Sequence, residues 1–129
     1  MVCLETTFII DLLRGKPEIK ELKDEFDKED IISITAPSVM ELWAGALMAK
    51  LPEKEKAKIN ELILSMIVLP MDEKSAKESG EIEAELIKSG NIIEIEDLMI
   101  AGIAKANGEK LVTNDEHYAK IPGLKMIKY

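Results

Sequence analysis

The stretch from Glu96 to Ala106 reads EDLMIAGIAKA, and the rest of the chain can be understood as arranged around it. It opens with two acids and then carries apolar residues on almost every side, so that Lys105 is its one plainly solvated residue. A helix that is apolar all round is buried inside a protein. Asn107 and Gly108 are typical of a helix end. Asp97 therefore lies in the first turn of a buried helix, where a carboxylate suits the positive end of the helix dipole.

The composition bounds what kind of protein this is. The 129 residues include 47% hydrophobic ones, enough for a core. The formal net charge is −8 and Arg14 is the only arginine, which argues against recognition of bases by a basic surface. No apolar run approaches the roughly 20 residues that span a bilayer, and no signal-peptide pattern opens the chain. The single cysteine, Cys3, cannot form an intrachain disulfide, which favours the cytoplasm.

Short apolar stretches alternate with helical patterns along the chain. The predicted strands are residues 2–4, 31–35, 67–69, 110–113 and 124–127, whereas residues 92–95 are interpreted as an extended lead-in to the central helix. Short, uniformly apolar strands between helices predict a parallel sheet covered on both faces. No linker is long enough to divide the chain, so residues 1–129 are predicted to form one domain.

The long polar helix before residue 90 has its own pattern. Asp72 is interpreted as its N-cap. Its apolar positions are predicted to be buried; they are Ala76, Ile82, Leu86 and Ile87.

Four acids are expected at one edge of this sheet. Glu5 follows the first strand, Glu41 lies one turn inside the helix after the second, and Asp115 follows the fourth. Asp97 begins the helix that leads into the fourth strand. Because ligands of open parallel sheets bind outside the carboxyl ends of the strands, all four side chains can reach the same rim.

Convergent carboxylates need a cation, because otherwise some of them take up protons at neutral pH. Hard oxygen ligands suit Mg²⁺ or Mn²⁺, and His117 by itself is a poor case for zinc. Metal ions held by carboxylates can activate a water for phosphodiester hydrolysis. The alternative interpretation is that Glu5 and Asp115 are loop acids and that Asp97 only caps its helix.

Four motifs in order along the whole chain resemble the PIN domain family, in particular VapC-type toxins of toxin–antitoxin pairs. They are Leu4–Leu13, Pro37–Leu42 with Gly45-Ala46, Asp97–Ala101 running to Gly108, and Leu111–Asp115 followed by Tyr118 and Ile121–Leu124. The resemblance implies a three-layer α/β/α fold with a five-stranded parallel sheet. It also implies a Mg²⁺- or Mn²⁺-dependent ribonuclease that acts on RNA, forms homodimers and is inhibited by a small antitoxin.

The resemblance also assigns the residues of the site. Carried over by position, Glu5, Glu41, Asp97 and Asp115 match the catalytic acids of the family, and Glu5, Asp97 and Asp115 are the expected metal ligands. The supporting residues implied by the same motifs are Thr6, Thr113 and Asn114.

Two departures from the family pattern leave a second function open. The first acid is usually Asp, whereas Glu5 places its carboxylate about 1.5 Å further out, roughly one covalent bond length. Active sites lose rate when groups are misplaced by about 1 Å. His117 stands where many relatives carry an acid. The alternative is therefore a PIN-like domain with weakened or lost catalysis that binds RNA or protein.

A third possibility is an unrelated doubly wound protein, such as a phospho-acceptor signalling domain, which also gathers acids at strand ends. In such a protein Asp72 would be the phospho-acceptor acid after the middle strand. Asp72 is instead interpreted as a helix cap, which argues against this possibility.

The helix that carries Glu41 is more apolar than one core contact requires. Its large apolar residues either belong to the core or form a surface for a dimer partner or an antitoxin; they are Met40, Trp43, Leu47 and Met48, with Leu51 nearby.

Overall fold

The computed structural model describes residues 1–129, except for the side chain of Glu29. The strands are β1 (Val2–Leu4), β2 (Ile32–Thr35), β3 (Ile67–Leu69), β4 (Lys110–Val112) and β5 (Met126–Ile127). The α-helices are α1 (Thr6–Leu13), α2 (Pro17–Glu29), α3 (Ala36–Leu47), α4 (Pro52–Leu64), α5 (Glu73–Lys88) and α6 (Ile95–Ala106). A 3-10 helix covers Glu116–Lys120.

All strands pair in parallel in one five-stranded sheet with the order β3-β2-β1-β4-β5. In the middle of the sheet, Cys3 of β1 lies between Ser33 of β2 and Leu111 of β4. Since all strands run the same way, their carboxyl ends meet at one edge, and β1 brings Glu5 to the centre of that edge.

Alternate residues of each strand face opposite layers of helices. Val2, Leu4, Ile32 and Ile34 pack in one cluster with buried residues of α1 to α4. Cys3 and Leu111 pack in a second cluster with α5, α6 and the 3-10 helix, and Cys3 is fully buried as a small core residue. The predicted α/β/α layers and parallel sheet are therefore confirmed.

Helix α6 is buried as its sequence predicts. It begins at Ile95, one residue before the predicted start, so Ile95 belongs to the helix and not to the predicted lead-in, whereas residues 92–94 join neither a helix nor the sheet, as expected. Gly102 allows α6 to approach α5 closely, because a Cβ at this position would lie 1.8 Å from Ser79 Oγ. Helix α6, which carries Asp97 in its first turn, therefore packs tightly against α5.

The structure corrects several local expectations. β2 begins at Ile32, β4 ends at Val112 and β5 has only two residues, because pairing with β4 is limited to Leu111–Met126 and Val112–Ile127. Ile67 and Val68 of the edge strand β3 are exposed, so the sheet is not covered there. None of the helices in the described part of the chain is long and apolar enough to cross a membrane.

Helix α5 keeps only part of its predicted apolar face in the core. Ile82 and Leu86 are buried, whereas Ala76 and Ile87 are exposed. Asp72 accepts a hydrogen bond from the Ser75 backbone N–H at 2.8 Å and is the N-cap of this helix, as the sequence predicts.

Candidate active site

Glu5 is the most deeply buried of the four predicted acids, with 3% of its surface exposed. It is the N-cap of α1, and its Oε2 accepts a hydrogen bond from the Thr7 backbone N–H. Its Oε1 accepts a hydrogen bond from Thr113 Oγ1 at 2.9 Å. The longer glutamate side chain thus folds back on its own helix, and both of its oxygens are engaged by the protein.

Glu41 is held by a chain of hydroxyl groups that begins at the end of β2. Thr35 Oγ1 lies 3.1 Å from Ser38 Oγ, which lies 2.8 Å from Thr6 Oγ1. Thr6 Oγ1 in turn donates to Glu41 Oε1 at 3.0 Å. Thr35, Ser38 and Thr6 are all buried, so this network joins the starts of α1 and α3 and orients the half-buried Glu41.

Asp97 is held by a hydrogen bond from Tyr118 of the 3-10 helix. Tyr118 donates its phenolic hydrogen to Asp97 Oδ1 at 3.0 Å, and the tyrosine is almost completely buried. Burial and the nearby charges of Glu5, Asp97 and Asp115 raise the pKa of Tyr118, so its hydroxyl remains a hydrogen-bond donor.

Asp115 is the N-cap of the 3-10 helix, and His117 covers one of its oxygens. Asp115 Oδ1 accepts a hydrogen bond from the His117 backbone N–H at 2.9 Å and lies 2.8 Å from the ring Nδ1 of His117. Thr113 Oγ1 accepts a hydrogen bond from the Asp115 backbone N–H at 3.0 Å, so Thr113 links Glu5 to the Asp115 loop. Asn114 is exposed, and its side chain forms no hydrogen bond with the described residues.

Electrostatic coupling joins the four acids into one cluster, with Asp97 at its centre. Burial raises the pKa of Glu5, Glu41 and Asp97, and in each case a neighbouring acid raises it further. For Glu5 and Glu41 that neighbour is Asp97, and for Asp97 it is Asp115. The charges of the four predicted acids therefore act on one another at this rim, and Glu94 and Glu96 contribute further negative charge nearby.

The donor set fits a hard divalent cation in its chemistry. All four groups are carboxylates, and Glu41, Asp97 and Asp115 each have a second oxygen that accepts no hydrogen bond from the described residues. A divalent cation would relieve the repulsion between neighbouring carboxylates, which adds to the effect of burial in raising the pKa of Glu5, Glu41 and Asp97. As the side chains stand, no three His, Cys, Asp or Glu residues in the described part of the chain are arranged to hold a metal ion together.

Sequence reasoning missed the residues that orient the acids. Ser38 and Tyr118 lie within the family motifs, but the motifs do not indicate that these two side chains orient acids. A tyrosine at a core position can indicate such a role, because its buried phenol needs a hydrogen-bond partner. Ser38 offered a weaker one, since serine is also common at helix starts.

A groove of about 500 Å³ opens beside Glu41. It is lined mainly by small and apolar residues of α1, α3 and α4, together with the charged residues Arg14, Glu55 and Lys58. Met40 and Leu47 of α3 are exposed, as are Met48 and Leu51 just after it, whereas Leu42 and Ala46 of α3 face the core.

Comparison with known proteins gives a consistent result. A profile of the PIN domain matches residues 2–124. The chain is 32% identical over 125 residues to the tRNA(fMet)-specific endonuclease VapC of Salmonella typhimurium, which covers 95% of this chain and 93% of the relative. It is 35% identical over 103 residues to Ribonuclease VapC3 of Methanocaldococcus jannaschii, which covers 78% of this chain and 94% of the relative.

Solved structures of toxin–antitoxin complexes share the fold over its full length. The chain superposes on a chain of VapBC2 from Rickettsia felis, solved bound to a DNA fragment from its promoter, with a TM-score of 0.94 and 25% identity, covering 100% of this chain and 99% of the other. The match to DNA-bound VapBC from Salmonella typhimurium has a TM-score of 0.91 and 31% identity, and covers 99% and 98% of the two chains.

Proposed function

The chain belongs to the PIN domain family, and from that premise we propose that it is the endoribonuclease toxin of a toxin–antitoxin pair, with its active site at the strand-end acids. The observation that carries the proposal is the hydrogen-bonded rim, where Thr113 links Glu5 to the Asp115 loop and Tyr118 links the 3-10 helix after that loop to Asp97. The catalytic unit is residues 1–129 as one PIN domain.

Glu5, Asp97 and Asp115 are the residues that would hold Mg²⁺ or Mn²⁺. Such an ion, when bound, lowers the pKa of a water and offsets the charge of the scissile phosphate. A bound cation would also explain how a protein with a net charge of −8 can bind RNA, because an acidic rim attracts phosphate only after cations neutralise it.

Other residues orient the acids, and Glu41 is proposed to accept the proton of the attacking water. Thr113 and the Thr7 backbone N–H hold Glu5, and Thr6 holds Glu41. Glu41 is half-buried and its Oε2 accepts no hydrogen bond from the described residues, so it is suited to accept a proton from the attacking water. Asn114 is exposed beside Asp115 and is available to the RNA backbone.

The test is RNA cleavage by purified protein with Mg²⁺ or Mn²⁺. We expect Asp97→Asn to lower kcat by about 100-fold or more, because even the outer partners of metal ligands are worth 10–100-fold. Asp27→Asn is the matched control, since this acid lies on the exposed side of α2 in a salt bridge with Lys23 at 2.7 Å. Equal cleavage by wild type and Asp97→Asn would refute the proposal.

The partners follow from the same assignment. RNA is the substrate and a small antitoxin is the inhibitor, as the complexes of the structural relatives support. We expect a homodimer, and the exposed apolar residues in and just after α3, the helix that carries Glu41, support a protein partner there. An antitoxin arginine that pairs bidentately with the acids would block the site, and added salt would then weaken inhibition.

A second candidate function is supported by Glu5 itself. Because its two oxygens are already hydrogen-bonded within the protein and its side chain is buried, Glu5 is the least available of the three expected ligands. The domain would then bind RNA or protein with weak or no cleavage. This candidate is supported if calorimetry shows that wild type binds Mn²⁺ without cleaving RNA and if Glu5→Asp does cleave RNA. Efficient RNA cleavage by wild type excludes it.

A further inference from the structure

The phenol of Tyr118 lies in the core and donates a hydrogen bond to Asp97, one of the acids at the rim. Its ring is 1% exposed and packs in the cluster that includes Cys3, Leu98 and Leu111. Its hydroxyl lies 3.0 Å from Asp97 Oδ1. Phenylalanine would fill the same space in the core, so the hydroxyl has a role only through the group that it touches.

This hydrogen bond joins the two segments that carry Asp97 and Asp115. Asp115 caps the 3-10 helix in which Tyr118 lies, and Asp97 lies in the first turn of α6. A buried ring has one position, so the contact restricts where the start of α6 lies relative to the Asp115 loop. The charges of the two acids repel each other, and the hydrogen bond opposes this repulsion.

The hydrogen bond also separates the two oxygens of Asp97. Oδ1 accepts the phenolic hydrogen, whereas Oδ2 accepts no hydrogen bond from the described residues. Metal ligands in proteins commonly receive such a second hydrogen bond, which fixes their orientation and is worth about 10–100-fold in metal affinity or activity.

We propose that Tyr118 is a positioning residue of the active site, whose hydroxyl orients Asp97 and leaves Oδ2 to a divalent cation. The inference rests on the proposed function, since it assumes that Asp97 is a metal ligand. Tyr118 does not touch the RNA or the reacting atoms, and it acts through Asp97.

The experiment compares two tyrosine-to-phenylalanine variants. Tyr118→Phe removes the hydroxyl bonded to Asp97. Tyr129→Phe removes the other tyrosine hydroxyl, which is also buried but has no hydrogen-bond partner among the described residues. Mn²⁺ binding is measured by isothermal titration calorimetry on metal-free protein, and RNA cleavage is measured at saturating Mn²⁺.

We expect Tyr118→Phe to weaken Mn²⁺ binding by about 10–100-fold and to lower kcat, with the KM for RNA unchanged. Its melting temperature without metal should stay within a few degrees of wild type, because the ring is retained. Tyr129→Phe should bind Mn²⁺ as wild type does. A purely structural role of the Tyr118 hydroxyl would change stability and leave the Mn²⁺ affinity as it is.

The two proposals fail in distinguishable ways. If the unsubstituted protein binds Mn²⁺ and cleaves RNA, and Tyr118→Phe binds Mn²⁺ equally tightly, then only the proposed role of Tyr118 is overturned. Loss of the folded far-UV spectrum in Tyr118→Phe overturns it as well, because the hydroxyl would then serve the fold. Wild-type protein that neither binds Mn²⁺ nor cleaves RNA contradicts the proposed function itself.

Discussion

Glu109 is a buried acid at the amino-terminal edge of the sheet, away from the active site. Its side chain is 1% exposed, its Oε1 lies 3.2 Å from Ser33 Oγ, and its Oε2 has no hydrogen-bond partner among the described residues. Ser33 Oγ also lies 3.1 Å from the Val2 carbonyl oxygen. One hydroxyl hydrogen cannot serve both acceptors, so both contacts are satisfied only if Glu109 is protonated and donates to Ser33.

This proton count sets the direction of a pH effect. Burial raises the pKa of Glu109, and Asp30 adds to the rise, while Ser33 and the amino terminus of Met1 oppose it. The stabilisation from protonated Glu109 is therefore complete below the unfolded-state pKa of about 4.3 and is lost as the pH rises through the higher folded-state pKa.

We expect Glu109→Gln to stabilise the protein at pH 7.5 by about 1 kcal/mol and to have a smaller effect at pH 4.5. The amide can donate to Ser33 without a charge, and a buried hydrogen-bonding group left unsatisfied costs about 1–3 kcal/mol, or more if it is charged. Urea denaturation at the two pH values measures this. Lys110→Gln, at the neighbouring position on the exposed start of β4, is the control for a change of surface charge. A stability gain that is the same at both pH values would contradict the assignment.

At the scale of elements, the contact of α5 with α6 depends on one small residue. A Cβ at Gly102 would lie 1.8 Å from Ser79 Oγ and 3.0 Å from Ser79 Cα. The backbone atom cannot move aside alone, so α6 must shift as a whole. Asp97 lies in the first turn of the same helix.

Gly102→Ala is expected to destabilise the protein by about 1–3 kcal/mol, as overpacked cores do. The same substitution at Gly80 of α5, where an added Cβ meets no atom within 4 Å, should stabilise it by up to about 1 kcal/mol through helix propensity. Thermal unfolding of the two variants measures the contrast. Equal effects of the two substitutions would show that the helices do not pack as closely as described.

The whole molecule carries a formal net charge of −8, and several of its acids converge on one edge of the sheet. A cation that binds there should stabilise the folded state, because it binds the folded state better than the unfolded one. At 100 times its Kd a ligand contributes about 2.7 kcal/mol.

We expect saturating Mn²⁺ to raise the melting temperature by roughly 5–10 °C, since about 1 kcal/mol corresponds to a few degrees in a domain of this size. EDTA should reverse the shift, and Asp97→Asn should remove most of it, whereas Asp27→Asn should keep it. Differential scanning fluorimetry at constant ionic strength measures the shift. A rise of the same size in Asp97→Asn would assign the effect to general charge screening.

The sequence by itself predicted the five strands, apart from some of their ends, and the burial of α6, and it led to the hypothesis that four acids meet at one rim. These depend on local periodicity and on strand order, which can be read along the chain. It did not determine which oxygens of the acids are free. That depends on contacts such as Thr113 with Glu5, which are 108 residues apart, and on the Tyr118 hydrogen bond to Asp97. Hydrogen bonds require side chains from different elements to meet within a few tenths of an ångström, and only the tertiary packing fixes such distances.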